Sequence, residues 1–516
     1  MKSLNKVSTV LMAIAFLWAG LYMLCAQKIE GIYKPYKTLI RIIFGNEFTL
    51  LSGHITSIIL VLGILYACKK IMNKRSNLPA IMAVIILVLL AMVPRLYLLY
   101  SVSIEQTSDY ATYLVNSMSI YNNFSVAPEW QQYFGGFAAN VPVICGIFAL
   151  GFKLLGASVA VGLYMNVFFY TGAVIALYFI ALHFSSKNTA FVSAAAYALW
   201  PNNISYSVSL ASEPMYIFFL FLGLALFTYG IRSTGNLHWV LIFLSGAVLG
   251  LSQAIRPATV IFIIAIVIIF LFCSNKTTSE LGSSSFGRRA AIIGALMAAY
   301  VASQWGLGLY TGKILPTIAK PTYGWSIFEG ANLNTFGQWD AESSAIQDSV
   351  LAEYPLEQVQ KVLLNKGIDR IKSYHSDTLT LLLINKTRNI FGNSAVFNRD
   401  LNLYITEQPT LLQSGTVPAS ILAWGKLSSW LYHILALYFI YVCFKCLSFM
   451  ILKRERDNVS RIFFMLLPVC GIMAVHLLVT SIERYNYSSI PIIIMISMTF
   501  WEKYPFFNNG KYRCEN

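Results

Sequence analysis

Apolar runs long enough to cross a membrane recur along nearly the whole chain, and they constrain its fold more than any other feature. A helix needs about 20 apolar residues to cross a hydrocarbon core of about 30 Å. Only 11% of the residues are charged and 57% are hydrophobic, whereas soluble domains carry about 25% charged residues. The sequence therefore predicts an all-α polytopic membrane protein with about 12 transmembrane helices.

The apolar runs give approximate positions for these spans. The first run follows Lys2 and Lys6 but lacks a small-x-small cleavage site, which favours a retained helix over a cleaved signal peptide. The predicted spans are 7–26, 48–68, 79–100, 158–183, 189–205, 214–231, 239–255, 257–273, 290–310, 427–450, 461–481 and 487–501.

The formal charge of +15 comes mostly from basic residues in short segments between the spans. Cytoplasmic loops of membrane proteins carry such an excess of Lys and Arg, so nucleic acid is not an expected partner. With both termini cytoplasmic, the basic segments 69–75, 276–289 and 453–456 are cytoplasmic as well. Segment 27–47 is basic too and disagrees with this orientation, which the remaining segments support.

The topology divides the chain into four parts. The apolar stretch Val141 to Leu155 in the second part is short and interrupted by proline and glycine, so we expect it to lie along the membrane surface. The parts are two additional N-terminal helices in 1–78, a transmembrane core of 79–310 with a first extracytoplasmic loop at 101–157, a small mixed extracytoplasmic loop region at 311–426, and C-terminal helices with a cytoplasmic tail in 427–516.

Five ionisable residues fall within or beside the predicted spans, all near the outer face. Such a residue costs about 2.5–3.5 kcal/mol on insertion scales and is a functional candidate for that reason. The five are Arg95, Asp109, Glu213, Arg256 and Arg484.

A structural role is also open for four of these residues. Asp109 could cap a surface helix, and Glu213 could stabilise the dipole at a helix N-terminus. Arg256 could be a turn residue at the interface. Arg484 could pair with its neighbour Glu483.

The order of motifs resembles a known family. Asp109 follows a helix that ends at Pro94-Arg95, and later motifs are Ser212-Glu213-Pro214, Gln253-Ala254-Ile255-Arg256-Pro257 and Glu483-Arg484-Tyr485. This order, over about residues 80–500, resembles GT-C type membrane glycosyltransferases that use polyprenyl-phosphate sugars. Within that type it is similar to glycosyltransferase family 39, the protein mannosyltransferase and aminoarabinose transferase relatives.

The resemblance implies transfer of a sugar from a polyprenyl-phosphate donor to an extracytoplasmic acceptor by inverting displacement. Three classes of acceptor stay open: a glycan such as a cell-wall polymer, a lipid, or a protein. The membrane lipid surrounds the donor. We expect a multi-pass protein of a bacterial plasma membrane whose active site faces outside. No glycine-rich nucleotide-binding loop follows a strand, which agrees with a lipid-linked donor.

The resemblance also implies roles for the candidate residues. Asp109 is the general base, and Arg256, Arg484 and Arg95 bind the donor phosphate. Glu213 orients the acceptor or, with Asp109, binds a divalent cation. No other cofactor is implied, and the identity of any metal is open. Three tyrosines next to the candidate residues have supporting roles, namely Tyr110, Tyr113 and Tyr485.

Three features depart from the family pattern. Tyr110 follows Asp109 where many members carry Glu, Glu213 stands where Asp is common, and the helices of 7–68 precede the usual start. The main alternative is a polytopic transporter or lipid flippase, which uses membrane-embedded charges as well. No inverted repeat is visible in the sequence, and the charges lie at one face rather than the midplane, so a transferase is favoured. A non-catalytic membrane subunit is a third interpretation.

Overall fold

The computed structural model describes residues 2–27, 63, 66–68, 70, 71, 79–272, 286–315, 323–392 and 419–504, and these are helical with no strand among them. Short 3-10 turns occur at Tyr206–Val208 and Glu483–Ser488. The α-helices are α1 Lys2–Ala26, α2 Ala80–Ser101, α3 Ser108–Asn123, α4 Pro128–Gly136, α5 Val141–Leu155, α6 Val159–Phe184, α7 Lys187–Ala198, α8 Pro201–Ser205, α9 Glu213–Gly230, α10 Gly235–Ile255, α11 Thr259–Phe272, α12 Phe286–Ile314, α13 Gly324–Gly330, α14 Ala341–Glu353, α15 Leu356–Ser373, α16 Ser376–Phe391, α17 Ala419–Ile451, α18 Arg456–Leu478 and α19 Ile490–Lys503.

The membrane class predicted from the sequence is confirmed. Eight helices in the described part of the chain are long and apolar enough to cross a membrane: α1, α2, α6, α9, α10, α12, α17 and α18. The predicted number of 12 is not confirmed by this count. The predicted span 48–68 lies mostly outside the described residues. The spans predicted at 257–273 and 487–501 correspond to α11 and α19, which have 14 residues each.

The single span predicted at 189–205 is wrong. Helix α7 ends at Ala198, and Pro201 begins the separate helix α8. The residue before a proline is disfavoured in the α conformation, and Trp200 is accordingly extended at φ −65° and ψ 117°. Twelve residues rise only about 18 Å, which is less than the hydrocarbon thickness. The break sends the chain toward the start of α9.

Helix α2 matches the predicted span 79–100 but does not end at Pro94-Arg95, as the motif comparison had it. The helix continues through Pro94 to Ser101. Prolines occur inside membrane helices because neighbouring groups satisfy the freed backbone carbonyls. Arg95 therefore lies inside the helix bundle, where it is fully buried, rather than at a helix end.

The N-terminal helix belongs to the same bundle as the C-terminal helices. Helix α1 packs against α16, α17 and α18. Phe16 is fully buried in this contact region, and the side chain of Gln27 donates to the carbonyl of Phe391 at 3.2 Å. These contacts join the two ends of the chain, which the sequence placed in separate parts.

The described part of the predicted outer region consists of α13 to α16. Phe328, Val350, Val359 and Leu363 form a small buried cluster of their own. Helix α5, which we expected on the membrane surface, packs against α3, α6, α10 and α12 and buries one side, including Phe148. The outer region and α3 to α5 thus frame one end of the transmembrane bundle.

Candidate functional site

Four charged side chains from four chain segments form two ion pairs at this end of the bundle. Asp109 lies in the first turn of α3, and its Oδ2 is 2.7 Å from Nη2 of Arg484 in the second 3-10 turn. Glu213 begins α9, and its Oε1 is 2.5 Å from Nη2 of Arg256. The structure thus brings together four of the five predicted ionisable residues.

Local backbone structure positions each of these residues. Asp109 and Glu213 both lie in the first turn of a helix, where the dipole favours a carboxylate. Arg256 is the residue after α10 and is extended at φ −140° and ψ 128°, which turns its side chain out of the helix path. Arg484 lies on the short turn that joins α18 to α19.

Two tyrosines lie near both ion pairs. The ring centre of Tyr485 is 6.0 Å from the guanidinium carbon of Arg256 and 5.9 Å from that of Arg484. Tyr113 lies one helical turn after Asp109 and is 8% exposed. Burial raises the pKa of Tyr113 first, Asp109 raises it further, and both arginines oppose the change. Tyr113 therefore keeps its proton at neutral pH and can donate a hydrogen bond.

The pair between Glu213 and Arg256 is buried, with side-chain exposures of 1% and 16%. Nε and Nη2 of Arg256 also donate to Oγ of Ser212 at 3.1 and 3.0 Å. Burial opposes the charge on Arg256, but Glu213 outweighs it and raises the pKa of the guanidinium. Oε2 of Glu213 is buried and has no hydrogen-bond partner among the described residues.

The pair between Asp109 and Arg484 is more open, with side-chain exposures of 44% and 27%. Desolvation opposes the charge on Arg484, but Asp109 outweighs it and holds the pKa of the guanidinium well above its usual value. Arg484 pairs with Asp109, and the side chain of Glu483, which the sequence offered as its partner, lies outside the described residues. Nε of Arg484 has no hydrogen-bond partner in the described part of the chain.

Arg95 does not join the two ion pairs. Its Nη1 donates to the carbonyls of Ala91 at 2.7 Å and Ala198 at 2.9 Å. Its guanidinium carbon lies 3.9 Å from the ring centre of Tyr170. These contacts tie α2 to α6 and to the end of α7, apart from the two ion pairs, and the contact of Arg95 with a donor phosphate stays a prediction.

Two charged residues of the outer region approach the site and were missed in the sequence. Lys386 is buried and its Nζ donates to the carbonyl of Gly330 at 2.7 Å. Burial lowers the pKa of Lys386 to about 7 and, together with Asp340, raises the pKa of Glu329 to about 8. Arg484 partly offsets the change at Glu329, which shows that this carboxyl lies near the exposed ion pair. Both residues are ordinary charges in a polar segment, so nothing in the sequence distinguishes them.

Helix α4 also approaches Asp109. Burial raises the pKa of Tyr133, and the charges of Asp109 and Glu329 add to the effect. Tyr110, predicted as a supporting residue, is 8% exposed and lies within electrostatic range of Arg484. The exposed ion pair is therefore bordered by tyrosines from α3 and α4 and by a carboxyl from the outer region.

The residues at the site do not fit a divalent cation. Asp109 and Glu213 are each engaged by an arginine. Among the described residues, no group of three or more His, Cys, Asp or Glu side chains could hold a metal ion. One or two carboxylates with several waters can hold Mg²⁺, but here an arginine already balances the charge of each carboxylate. The proposed reaction therefore assigns no step to the predicted cation.

Comparisons with known proteins place the chain near one group of solved structures. No family model and no curated protein matches it. The Archaeoglobus fulgidus oligosaccharyltransferase in complex with Zn and sulfate has a TM-score of 0.43 at 12% identity, over 82% of this chain and 49% of that one. Archaeal oligosaccharyltransferase AglB from Archaeoglobus fulgidus, in complex with an inhibitory peptide and a dolichol-phosphate, gives 0.43 and 12% over 84% and 50%.

A third structure, the same oligosaccharyltransferase tethered to an acceptor peptide containing the NVT sequon, has a TM-score of 0.41 at 13% identity, over 84% of this chain and 49% of that one. The chain spans about half the length of these proteins. A likeness with TM-scores below 0.5 carries neither a fold assignment nor a function to this chain. The similarity to glycosyltransferase family 39 stays a prediction.

Proposed function

We propose that this chain is a membrane glycosyltransferase that moves a sugar from a polyprenyl-phosphate donor to an extracytoplasmic acceptor. The observation that carries the proposal is the open pair of Asp109 and Arg484, which lies beside the buried pair of Glu213 and Arg256. Displacement of a lipid phosphate requires a base for the acceptor and a cation for the leaving group. The open pair supplies both within 2.7 Å.

In the proposed reaction, the oxygen of an acceptor hydroxyl attacks the anomeric carbon of the sugar. Asp109 takes the hydroxyl proton as the new carbon–oxygen bond forms. The bond from the anomeric carbon to the phosphate oxygen breaks, and the lipid phosphate leaves with the electron pair. Attack from the opposite face inverts the configuration at the anomeric carbon.

Arg484 is the proposed ligand of the leaving phosphate. Its Nη2 is held by Asp109, and the side chain stays 27% exposed. A guanidinium can therefore bind the carboxylate with one nitrogen and the phosphate with another. Because charge grows on the phosphate as the bond breaks, this contact is stronger in the transition state than in the bound donor.

The buried pair has a supporting role in this proposal. Arg256 lies 6.0 Å from the Tyr485 ring centre, adds positive charge to the site and is the second candidate for the phosphate. Oε2 of Glu213 has no hydrogen-bond partner among the described residues. In this proposal it accepts a hydrogen bond from the hydroxyl that attacks the sugar, and so orients that hydroxyl. Tyr113 lies between both pairs as a neutral hydrogen-bond donor.

The proposed topology places the site at the outer face, with both chain termini in the cytoplasm. Core residues 79–310 and the outer region 311–426 then enclose the reaction, and the donor arrives through the surrounding lipid. The acceptor stays open among a glycan, a lipid and a protein.

Single-turnover transfer tests the proposal. Purified protein in liposomes is mixed with radiolabelled polyprenyl-phosphate hexoses and pentoses, and labelled acceptor is measured beside equilibrium donor binding. Asp109→Asn is nearly isosteric, so we expect a rate loss of about 10²–10⁴-fold with donor binding retained. Glu105→Gln is the matched control, because Glu105 is an exposed acid just before α3.

Normal transfer by Asp109→Asn would remove Asp109 as the base. Movement of a solute or lipid across the liposome without glycosyl transfer would establish a transporter or flippase instead. Absence of both activities with every donor in the panel would favour a non-catalytic subunit.

A further inference from the structure

Glu329 lies beside the candidate site, but the proposed reaction does not use it. The residue is near the end of α13 and is only 4% exposed. It is within electrostatic range of Arg484, which binds Asp109 in the open pair. Among the described residues, no side chain forms a hydrogen bond or an ion pair with its carboxyl group. A buried polar group without a partner is costly, which indicates a partner other than these residues.

Two contacts fix the backbone of α13 next to the turn that carries Arg484. Gly330 follows Glu329, and a Cβ atom at Gly330 would lie 2.5 Å from the carbonyl carbon of Val479, just after α18. Only glycine permits so close an approach. Nζ of Lys386 donates to the carbonyl of Gly330 at 2.7 Å and fixes it from α16. The position of Glu329 beside the turn is therefore defined before any ligand binds.

The carboxyl group of Glu329 suits a neutral partner. Burial, together with Asp340, raises its pKa to about 8 against the opposing charges of Arg484 and Lys386. At pH 7 most of the group is therefore protonated, and a protonated carboxyl donates one hydrogen bond and accepts others. A hydroxyl group also donates and accepts, so the two groups can pair. Sugars carry several hydroxyl groups on one ring.

The proposed reaction places the donor sugar close to this carboxyl group. The anomeric carbon is bonded to the phosphate oxygen and is attacked by the acceptor hydroxyl, so it lies beside both Arg484 and Asp109. These two side chains are 2.7 Å apart. The sugar ring extends from the anomeric carbon, and Glu329 borders the same ion pair from the outer region. A ring hydroxyl can therefore supply the partner that Glu329 lacks among the described residues.

We propose that Glu329 binds one ring hydroxyl of the donor sugar and thereby helps to determine which sugar is transferred. This role rests on the proposed function, which puts the sugar at the open pair of Asp109 and Arg484. Only 4% of Glu329 is exposed, so the contact is with a single hydroxyl rather than with a face of the ring. A donor that lacks this hydroxyl leaves the buried carboxyl without a partner and is rejected for that reason.

Donors that lack one hydroxyl group test this contact. The parent sugar is the polyprenyl-phosphate hexose or pentose that binds most tightly, and each deoxy donor has one of its ring hydroxyls replaced by hydrogen. Equilibrium binding and single-turnover transfer are measured in liposomes. We expect wild-type protein to bind one deoxy donor roughly 10- to 100-fold more weakly than the parent. Glu329→Leu should bind the parent and that deoxy donor equally.

Two further variants separate the hydrogen bond from a change of shape or of charge. Glu329→Gln keeps a donor and an acceptor in nearly the same shape, so we expect it to retain most of the discrimination between the two donors. Glu342→Leu is the matched control, because Glu342 is an exposed glutamate in the first turn of α14. We expect this control to discriminate as wild type does. Melting curves of all variants check that they are folded.

The proposal is overturned if wild-type protein binds every deoxy donor as tightly as the parent, or if Glu329→Leu keeps the wild-type discrimination. It is also overturned if Glu342→Leu loses as much discrimination as Glu329→Leu. An equal decrease in the transfer of all donors by Glu329→Leu, with the discrimination kept, would mean that the carboxyl only positions Arg484. The proposed function fails in a different way, when wild-type protein transfers no sugar from any donor. The binding series still decides in that case whether Glu329 contacts the sugar.

Discussion

The two ion pairs should differ sharply in their contribution to stability. Glu213 and Arg256 are 1% and 16% exposed, whereas Asp109 and Arg484 are 44% and 27% exposed. Removing one partner of a buried pair leaves an uncompensated charge and costs about 3–5 kcal/mol. A pair exposed to solvent contributes only about 0.2–1 kcal/mol. We therefore expect Arg256→Gln to destabilise the protein several times more than Arg484→Gln.

The chain carries its own reporter for this comparison. Four cysteines are buried, namely Cys145, Cys443, Cys446 and Cys470. A thiol-reactive fluorogenic dye labels them only as the bundle opens, so its signal against temperature gives a melting curve in detergent. We expect a large decrease in Tm for Arg256→Gln and little change for Arg484→Gln.

The double variant Glu213→Gln/Arg256→Gln completes the comparison. Replacing both charges removes the uncompensated ion, so the double variant should melt above Arg256→Gln alone. The reasoning fails if Arg256→Gln and Arg484→Gln have the same Tm. It also fails if the decrease in Tm of the double variant equals the sum of the decreases for Glu213→Gln and Arg256→Gln. Either result means that the buried charge is solvated better than its 1% exposure indicates.

Three further predictions follow from the same contacts. Arg484→Lys keeps the charge but loses the planar two-pronged contact, so single-turnover transfer should fall more than donor binding, and equal losses contradict this role. Glu329 has a pKa raised to about 8 from its usual 4.5, so its contribution to stability is present below pH 4.5 and is lost as the pH rises through 8. The Tm of Glu329→Gln, measured by light scattering, should therefore decrease less than that of the wild type over that pH interval. Parallel curves of Tm against pH exclude the carboxyl as the cause. Gln338→Cys should react with an impermeant thiol reagent in intact cells and Lys453→Cys should not, on a cysteine-free background, and the reverse pattern inverts the topology.

The convergence of charges could be predicted from the sequence, but the partners could not. Hydropathy places Asp109, Glu213, Arg256 and Arg484 at one membrane face because each lies beside the same kind of span end. Their pairing depends on which helices are neighbours, and hydropathy contains no such information. The sequence suggested Glu483 as the ion-pair partner of Arg484, because a sequence shows only which residues are neighbours along the chain. The structure pairs Arg484 with Asp109 from a distant segment.

The two prolines show a second limit of prediction from sequence. Pro94 lies inside α2 without ending it, whereas Pro201 begins a new helix. Pro94 lies in a strongly apolar stretch, whereas Asn202 and Asn203 follow Pro201. Arg95, the residue after Pro94, binds carbonyls of α2 and α7 within the bundle, and this placement depends on tertiary contacts that the sequence does not show. Glu329 and Lys386 were missed for the same reason, because only packing of the outer region makes them buried charges.

Residues of the outer region hydrogen-bond to the chain on both sides of Arg484, the proposed phosphate ligand, which lies on a short turn. The backbone N–H of Ser481 donates to the carbonyl of Gly337 at 2.8 Å, and the Ser481 hydroxyl donates to the carbonyl of Phe336 at 2.7 Å. On the other side of the turn, the Asn486 side chain donates to the carbonyl of Ile390 at 2.7 Å. Hydrogen bonds on both sides limit the backbone freedom of the turn, so the arginine is held before substrate binds. If Arg484 binds the leaving phosphate as proposed, the outer region contributes to transfer by fixing the position of this arginine.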